Sequence, residues 1–264
     1  MAILRVYGDA GGNRDQTNVA VGAYFGPVDQ WDNWFKPLWN AELKNEGVDC
    51  FHRADMEPPF HNDFKEKGWT VQHQIPVLNR LHRIIKERTI QGIGQAVSND
   101  AFSRLMPPEI RRKYGGPYGW CVLRTIVWFG TWARSYDDWI DFVFEAGDHG
   151  QGQINQALSE LSNNPTYNEM FRIASLTFVP KRGPQGVVQL QAGDFIAYEA
   201  YKAIENYVAG SPRPRRKSFD DLLRQDHDMV LLWSDEAIKN WVLRLKECGG
   251  DVIEALIERE QVKG

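Results

Sequence analysis

The sequence predicts an α/β fold in which a mixed five-stranded sheet carries helices on both faces. Short β-branched and aromatic segments alternate along the chain with longer segments of helical periodicity. The first two predicted strands are separated by a short polar loop, which favours an antiparallel hairpin. Helices separate the later strands, and strand–helix–strand units of this kind require parallel strands joined by right-handed crossovers.

Composition identifies the predicted strands. The segment NVAVGAYF (residues 18–25) is β-branched and aromatic, and WIDFVFE (residues 139–145) alternates and is rich in aromatic residues. The first strand ends at Gly8-Asp9, and the fourth runs into the turn AGDHG. In chain order the predicted strands are residues 3–7, 18–25, 90–97, 139–145 and 173–179.

Helical periodicity marks the segments between the strands. Residues 71–86 carry an apolar stripe, and Pro37 is expected to end or kink the first helix. Two or three helical pieces follow the basic linker SPRPRRKS. We therefore expect an α/β domain over residues 1–210, with residues 211–264 forming the linker and a helical extension packed on it. The predicted helices are residues 28–44, 71–86, 120–135, 153–161 and 187–208.

Charge and hydropathy exclude several classes of protein. The chain has 31 basic and 35 acidic residues among 264, and 42% of its residues are hydrophobic. This composition is unlike a histone-like tail or a disordered chain, and no apolar run is long enough for a membrane span. A chain with a net charge of -4 can bind nucleic acid only through a local basic surface or through metal ions.

The three cysteines, Cys50, Cys121 and Cys248, are far apart in the sequence and form no CxxC pair. Their number and spacing favour neither a disulfide framework nor a zinc knuckle. We therefore expect a reducing, cytoplasmic location.

Acidic residues occur where an α/β sheet usually binds ligands. Asp9 follows the first strand, and Glu145 and Asp148 lie at the end of the fourth. Ligands of such sheets gather beyond the carboxyl ends of the parallel strands. Asp194 lies on an otherwise apolar helical stripe, where an unpartnered carboxylate costs about 2–7 kcal/mol. Together these acids predict a Mg²⁺ or Mn²⁺ site, with Glu145 and Asp148 as alternative ligands.

Two motifs resemble a known family. The helical segment QLQAGDFIAYE, residues 189–199, is similar to a C-terminal motif of the domain-of-unknown-function 3800 family, and YGDAGG resembles its opening. The resemblance covers about residues 3–208 and implies a ribonuclease H-like fold with a metal-dependent nuclease site. It assigns metal binding to Asp9, Asp194 and the Glu145–Asp148 pair. The glutamate that usually follows the first aspartate is Ala10 here.

Further polar residues are candidates for binding substrate. His149 could move a proton or contact phosphate, although an exposed turn histidine is an alternative. His52 could line the cleft, or it could belong to a salt-bridged loop. The linker cations could hold phosphates, or they could be a solvated connection between helices. These linker candidates are Arg215, Arg216 and Lys217.

The function predicted from these residues is divalent-metal-dependent hydrolysis of phosphodiester bonds in nucleic acid, either DNA or RNA. One alternative, favoured by Ala10 and by the net charge of -4, is a catalytically inactive binding module of a mobile-element or phage-defence system. Another is a phosphatase or nucleotide hydrolase with a small substrate. The sequence predicts no oligomeric state.

Overall fold

A computed structural model of the chain describes residues 3–11, 17–134, 138–146, 163–210, 213–224 and 227–261, with the single positions 152, 155, 156, 158 and 161. The described strands form one mixed sheet in the order β5-β4-β1-β2-β3-β6. β2 is antiparallel to its neighbours β1 and β3, and the other neighbouring pairs are parallel. The strands are β1 Ile3–Gly11, β2 Asn18–Pro27, β3 Gln91–Ser98, β4 Trp139–Glu145, β5 Ile173–Val179 and β6 Met229–Trp233.

The α/β class and the antiparallel β1–β2 hairpin are confirmed, but the predicted count of five strands is wrong. The sixth strand, β6, lies in the C-terminal segment that was expected to be entirely helical, and it pairs in parallel with β3. MVLLW is a short apolar run without alternation, and such a run does not distinguish a strand from part of a buried helix. The partner strand β3 decides its conformation by supplying backbone hydrogen bonds.

Helices cover both faces of the sheet. Neighbouring residues of one strand point into different apolar clusters: Val6 packs in the cluster that contains α6, and Tyr7 packs in the cluster that contains α1, α3 and α8. The helices are α1 Lys36–Glu46, α2 Asn62–Glu66, α3 Val71–Arg88, α4 Asn99–Leu105, α5 Pro108–Lys113, α6 Gly116–Arg134, α7 Pro165–Met170, α8 Leu190–Val208, α9 Lys217–Leu222, α10 Asp235–Glu247 and α11 Val252–Gln261.

Pro37 lies within one unbroken helical stretch, residues 28–46, and does not end it. A π-helical segment, Gln30–Phe35, directly precedes α1, and Pro37 is the second residue of α1. A proline disturbs the turn before it, because it has no N–H to donate and its ring crowds that turn. The change from π-helix to α-helix beside Pro37 is where the stretch accommodates the proline.

None of the described helices is long and apolar enough to span a membrane.

Candidate functional site

Two acidic side chains meet where the parallel pairing of β1 with β4 ends. β1 and β4 pair in parallel with Gly8 opposite Phe144, so the next residues, Asp9 and Glu145, lie side by side. Asp9 is fully buried, whereas the Glu145 side chain is 20% exposed. This is the edge of the sheet at which ligands of α/β proteins usually bind.

Helix α8 brings a third carboxylate to the same place. The helix lies directly on the sheet, because a Cβ atom on Gly193 would lie 2.8 Å from the Gly22 carbonyl oxygen and 3.0 Å from the Asp9 nitrogen. Asp194 is the next residue and is buried. The glycine therefore permits the close approach that places Asp194 beside Asp9.

A buried lysine joins the three carboxylates. Lys181 follows β5, and its Nζ atom lies 2.5 Å from Asp9 Oδ2, 3.2 Å from Glu145 Oε2 and 3.7 Å from Asp194 Oδ1. The lysine side chain is only 5% exposed. Sequence reasoning missed Lys181, although its position just after a parallel strand could have identified it, because the ends of β1, β4 and β5 share one edge of the sheet.

The cluster is electrostatically crowded. Burial raises the pKa of Asp9 well above its usual range; Lys181 opposes this rise, while Asp194 and Glu145 add to it. Burial also acts to raise the pKa of Asp194, but Lys181, His52 and the Arg53 amide outweigh it, so this pKa is lowered. The carboxylates overcome the effect of burial on Lys181 and raise its pKa well above the ordinary value. The Lys181 side chain is therefore charged. Its attraction only partly offsets the rise in the pKa of Asp9 that burial and the neighbouring carboxylates cause.

The segment before α2 supplies the other partners of Asp194. The Arg53 backbone amide donates to Asp194 Oδ2 at 2.6 Å. His52 lies beside the same carboxylate, with 3.7 Å between Nε2 and Asp194 Oδ1, and its Nδ1 atom is 3.1 Å from Asp55 Oδ2. His52 thus lies beside the carboxylate cluster and also pairs with Asp55 of its own loop. Its surroundings agree both with a residue that lines a cleft and with a member of a salt-bridged loop.

A cleft of about 660 Å³ opens above the carboxylates. Its walls combine acidic groups with cations, two histidines and two tyrosine rings, and Ala10 also borders it. Lys202 pairs with Glu205 at 2.8 Å, and the half-exposed Arg182 lies 3.5 Å from Asp55. Further lining residues are His52, His61, Asp55, Tyr198 and Tyr201.

The predicted basic candidates do not themselves line this cleft, although Arg216 contacts Glu57 and Tyr198, which do. Arg216 is held by Glu57, at 2.5 Å, and by Glu199, at 3.5 Å. Arg215 pairs with Asp220 and is 63% exposed, and Lys217 is exposed. Arg215 and Arg216 border a separate groove of about 270 Å³. The structure therefore gives Arg216 ion-pair partners within the protein and leaves Arg215 and Lys217 at the surface.

A buried ion network supports the wall of the site. The Arg53 guanidinium is 3.1 Å from Glu199 Oε1 and 2.5 Å from Glu57 Oε1, and it stacks over Tyr198. Ser218 also donates to Glu199, at 2.9 Å. Glu199 thus pairs with arginines and takes no part in the carboxylate cluster. Instead it ties α9 and the segment before α2 to α8.

Two predicted site residues, Asp148 and His149, lie outside the described residues. Of the two alternative ligands from β4, Glu145 lies within the carboxylate cluster. Metal binding by Asp148 stays a prediction. Ala10 donates its backbone N–H to Asp9 Oδ1 at 2.8 Å.

A comparison with models of known protein families found no match, and neither did a comparison with curated proteins. The resemblance of residues 189–199 to the domain-of-unknown-function 3800 family therefore stays a prediction.

The donor set suits a hard divalent cation in its chemistry. Three carboxylates from three different elements each have an oxygen within 3.7 Å of one point, and Mg²⁺ and Mn²⁺ prefer such oxygen ligands. That point holds the Lys181 ammonium. In the described part of the chain no group of three His, Cys, Asp or Glu side chains has metal-holding geometry.

Proposed function

We propose that the chain is a divalent-metal-dependent hydrolase of phosphodiester bonds in nucleic acid. The observation that carries this proposal is the convergence of Asp9, Glu145 and Asp194 on one point at the floor of a polar cleft. These three side chains would hold Mg²⁺ or Mn²⁺. When bound, such an ion activates water as the nucleophile and stabilises the leaving oxygen of a phosphodiester.

The residues around the carboxylates have roles in positioning. The Arg53 amide holds Asp194 by a hydrogen bond, which fixes one carboxylate for ligand binding. The half-exposed Arg182 borders the cleft and can bind a phosphate oxygen. The ring of Tyr201, which also borders the cleft, is a surface on which a base can stack.

The arrangement of the strands supports a ribonuclease H-like assignment of the fold within the same proposal. The β1–β2 hairpin is continued by the antiparallel strand β3, and β4 and β5 lie parallel to β1 on its other side. The acids of β1, β4 and α8 that meet in the cluster are among those to which the resemblance assigns metal binding. In this assignment β6 is an addition at the outer edge of β3. A cytoplasmic location belongs to the same proposal.

The alternative is a catalytically inactive binding module of a mobile-element or phage-defence system. Two observations favour it: Ala10 replaces the acidic residue of the family motif, and the Lys181 ammonium lies at the centre of the carboxylates. Such a module would bind nucleic acid and leave it intact. A phosphatase of small substrates would instead turn over nucleotides without salt-sensitive binding of a polymer.

Substitution of two carboxylates by amides tests the nuclease. Asp9→Asn and Asp194→Asn should each abolish Mn²⁺-dependent cleavage of single- and double-stranded DNA and RNA, because each removes a charged ligand. Asp220→Asn is the matched control, since Asp220 pairs with Arg215 away from the cleft, and it should cleave like the parent. Circular dichroism and thermal unfolding check that the fold persists. Undiminished cleavage in both site variants would contradict the proposal.

A further inference from the structure

Lys181 occupies the place that the proposed metal ion requires. Its Nζ atom lies within 3.7 Å of an oxygen from each of Asp9, Glu145 and Asp194. The ammonium is a compact point charge with three donors, and here three carboxylates face it. It therefore serves as the counter-cation of the cluster when no metal is bound.

An ammonium and a divalent cation cannot share this position. Mg²⁺ binds carboxylate oxygens at about 2.0–2.1 Å, and Lys181 Nζ is already 2.5 Å from Asp9 Oδ2. Two cations at one point would repel each other strongly in a site with little water. Binding of the ion therefore requires the ammonium to leave.

The surroundings of Lys181 give its side chain a place to go. Lys181 itself borders the cleft of about 660 Å³, and its four-carbon stem is flexible. It lies in the connection between β5 and α8, outside regular secondary structure. Turning the ammonium into the cleft would break its contacts with the three carboxylates.

We propose that Lys181 is a built-in competitor of the divalent metal ion, which neutralises the empty carboxylate cluster and is displaced into the cleft when the ion binds. This inference rests on the proposed function, since it concerns the same three carboxylates. It predicts opposite effects of removing the lysine charge. The metal-free protein loses the neutralising cation and becomes less stable, whereas the affinity for metal rises.

Lys181→Met tests the competition, because methionine has a similar length and no charge. Calorimetric titration with Mn²⁺ should give a dissociation constant lower by about tenfold or more than that of the parent. In thermal unfolding the variant should melt at a lower temperature in chelator and gain more from Mn²⁺ than the parent does. Lys202→Met is the matched control: Lys202 also lines the cleft but pairs with Glu205, and its loss should leave the Mn²⁺ affinity unchanged. Lys181→Gln serves for the same titration if the methionine variant does not fold.

The outcomes separate this inference from the proposed function. Tighter Mn²⁺ binding by Lys181→Met than by a metal-binding parent supports both. Unchanged or weaker binding overturns the competition and leaves the metal-dependent nuclease standing. Binding by the variant alone supports the competition and favours the inactive module, because the parent lysine then keeps the ion out. Absence of binding in both proteins overturns both.

Discussion

Two adjoining groups of buried charges lie around Asp194, which accepts a hydrogen bond from the Arg53 amide. One group is the carboxylate cluster with Lys181 at its centre; the other is Arg53 with Glu57 and Glu199. Burying a charge is costly unless it is paired, and each group supplies partners of opposite sign. The free-energy cost of burying a charge is least offset at Asp9, since burial and two nearby carboxylates raise the pKa of this residue. A pKa shifted in this way is typical of sites that bind a ligand.

A buried histidine on the other side of α8 makes stability depend on pH. Burial, with Arg53 and Lys86 adding to it, lowers the pKa of His82 to about 3 from an ordinary value of 6.5. As the pH falls below 6.5 the unfolded chain takes up a proton that the folded protein refuses, so the free energy of unfolding falls. The loss by pH 5 should be about 2 kcal/mol.

Replacing this histidine should remove that pH dependence. In urea denaturation at pH 7 and pH 5, His82→Gln should lose the drop of about 2 kcal/mol, because glutamine does not titrate. His227→Gln is the control, since His227 lies exposed at the surface, and it should keep the parental drop. A parental slope in the His82 variant would show that other groups cause the dependence.

At the scale of elements, the close packing of α8 on the sheet determines where Asp194 lies. A Cβ atom on Gly22 would come within 2.3 Å of the Ala197 nitrogen and of the Gly193 carbonyl oxygen, which are both backbone atoms. The helix would have to move to make room, since its backbone cannot turn aside as a flexible side chain can. The absence of a side chain at Gly22 therefore permits the carboxylate cluster.

Gly22→Ala should both destabilise the protein and weaken the site. We expect a loss of about 1–3 kcal/mol or more in the free energy of unfolding from overpacking, and weaker Mn²⁺ binding because Asp194 moves away from Asp9. Gly11→Ala is the control on the neighbouring strand, where an added Cβ atom would meet its nearest atoms at 3.5 Å, an ordinary contact. Equal stability of the two variants in chemical denaturation would contradict this close packing of α8 on the sheet.

At the scale of the whole molecule, the C-terminal segment shares the main core. Trp233 of β6 is 1% exposed and packs edge-on against Trp120 of α6, with 5.3 Å between ring centroids. Its Nε1 atom donates to Gln95 of β3 at 3.1 Å. Trp241 of α10 packs against Trp120 as well. The segment thus contributes a strand, a hydrogen bond and aromatic packing to one continuous structure.

Trp233→Ala should therefore cost about 3–5 kcal/mol in the free energy of unfolding, as expected for a large buried aromatic residue. Trp34→Ala is the control, because Trp34 is 50% exposed, and its loss should cost less than about 1 kcal/mol. Guanidinium denaturation followed by circular dichroism measures both. Similar costs for the two variants would mean that the C-terminal segment does not share the core.

The sequence by itself determined the α/β class, the N-terminal hairpin and the bounds of β4 and β5, because alternation and aromatic content are local properties of the chain. It also indicated Asp9, Glu145 and Asp194, since each has a local signal: a strand end or an apolar helical stripe. Only the tertiary structure decided that β6 is a strand, because β3 supplies its hydrogen bonds. Only the tertiary structure placed Lys181 among the carboxylates and Arg53 against Glu199. Those partners are far apart in the chain, and their pairing depends on burial and distance, which no local pattern records.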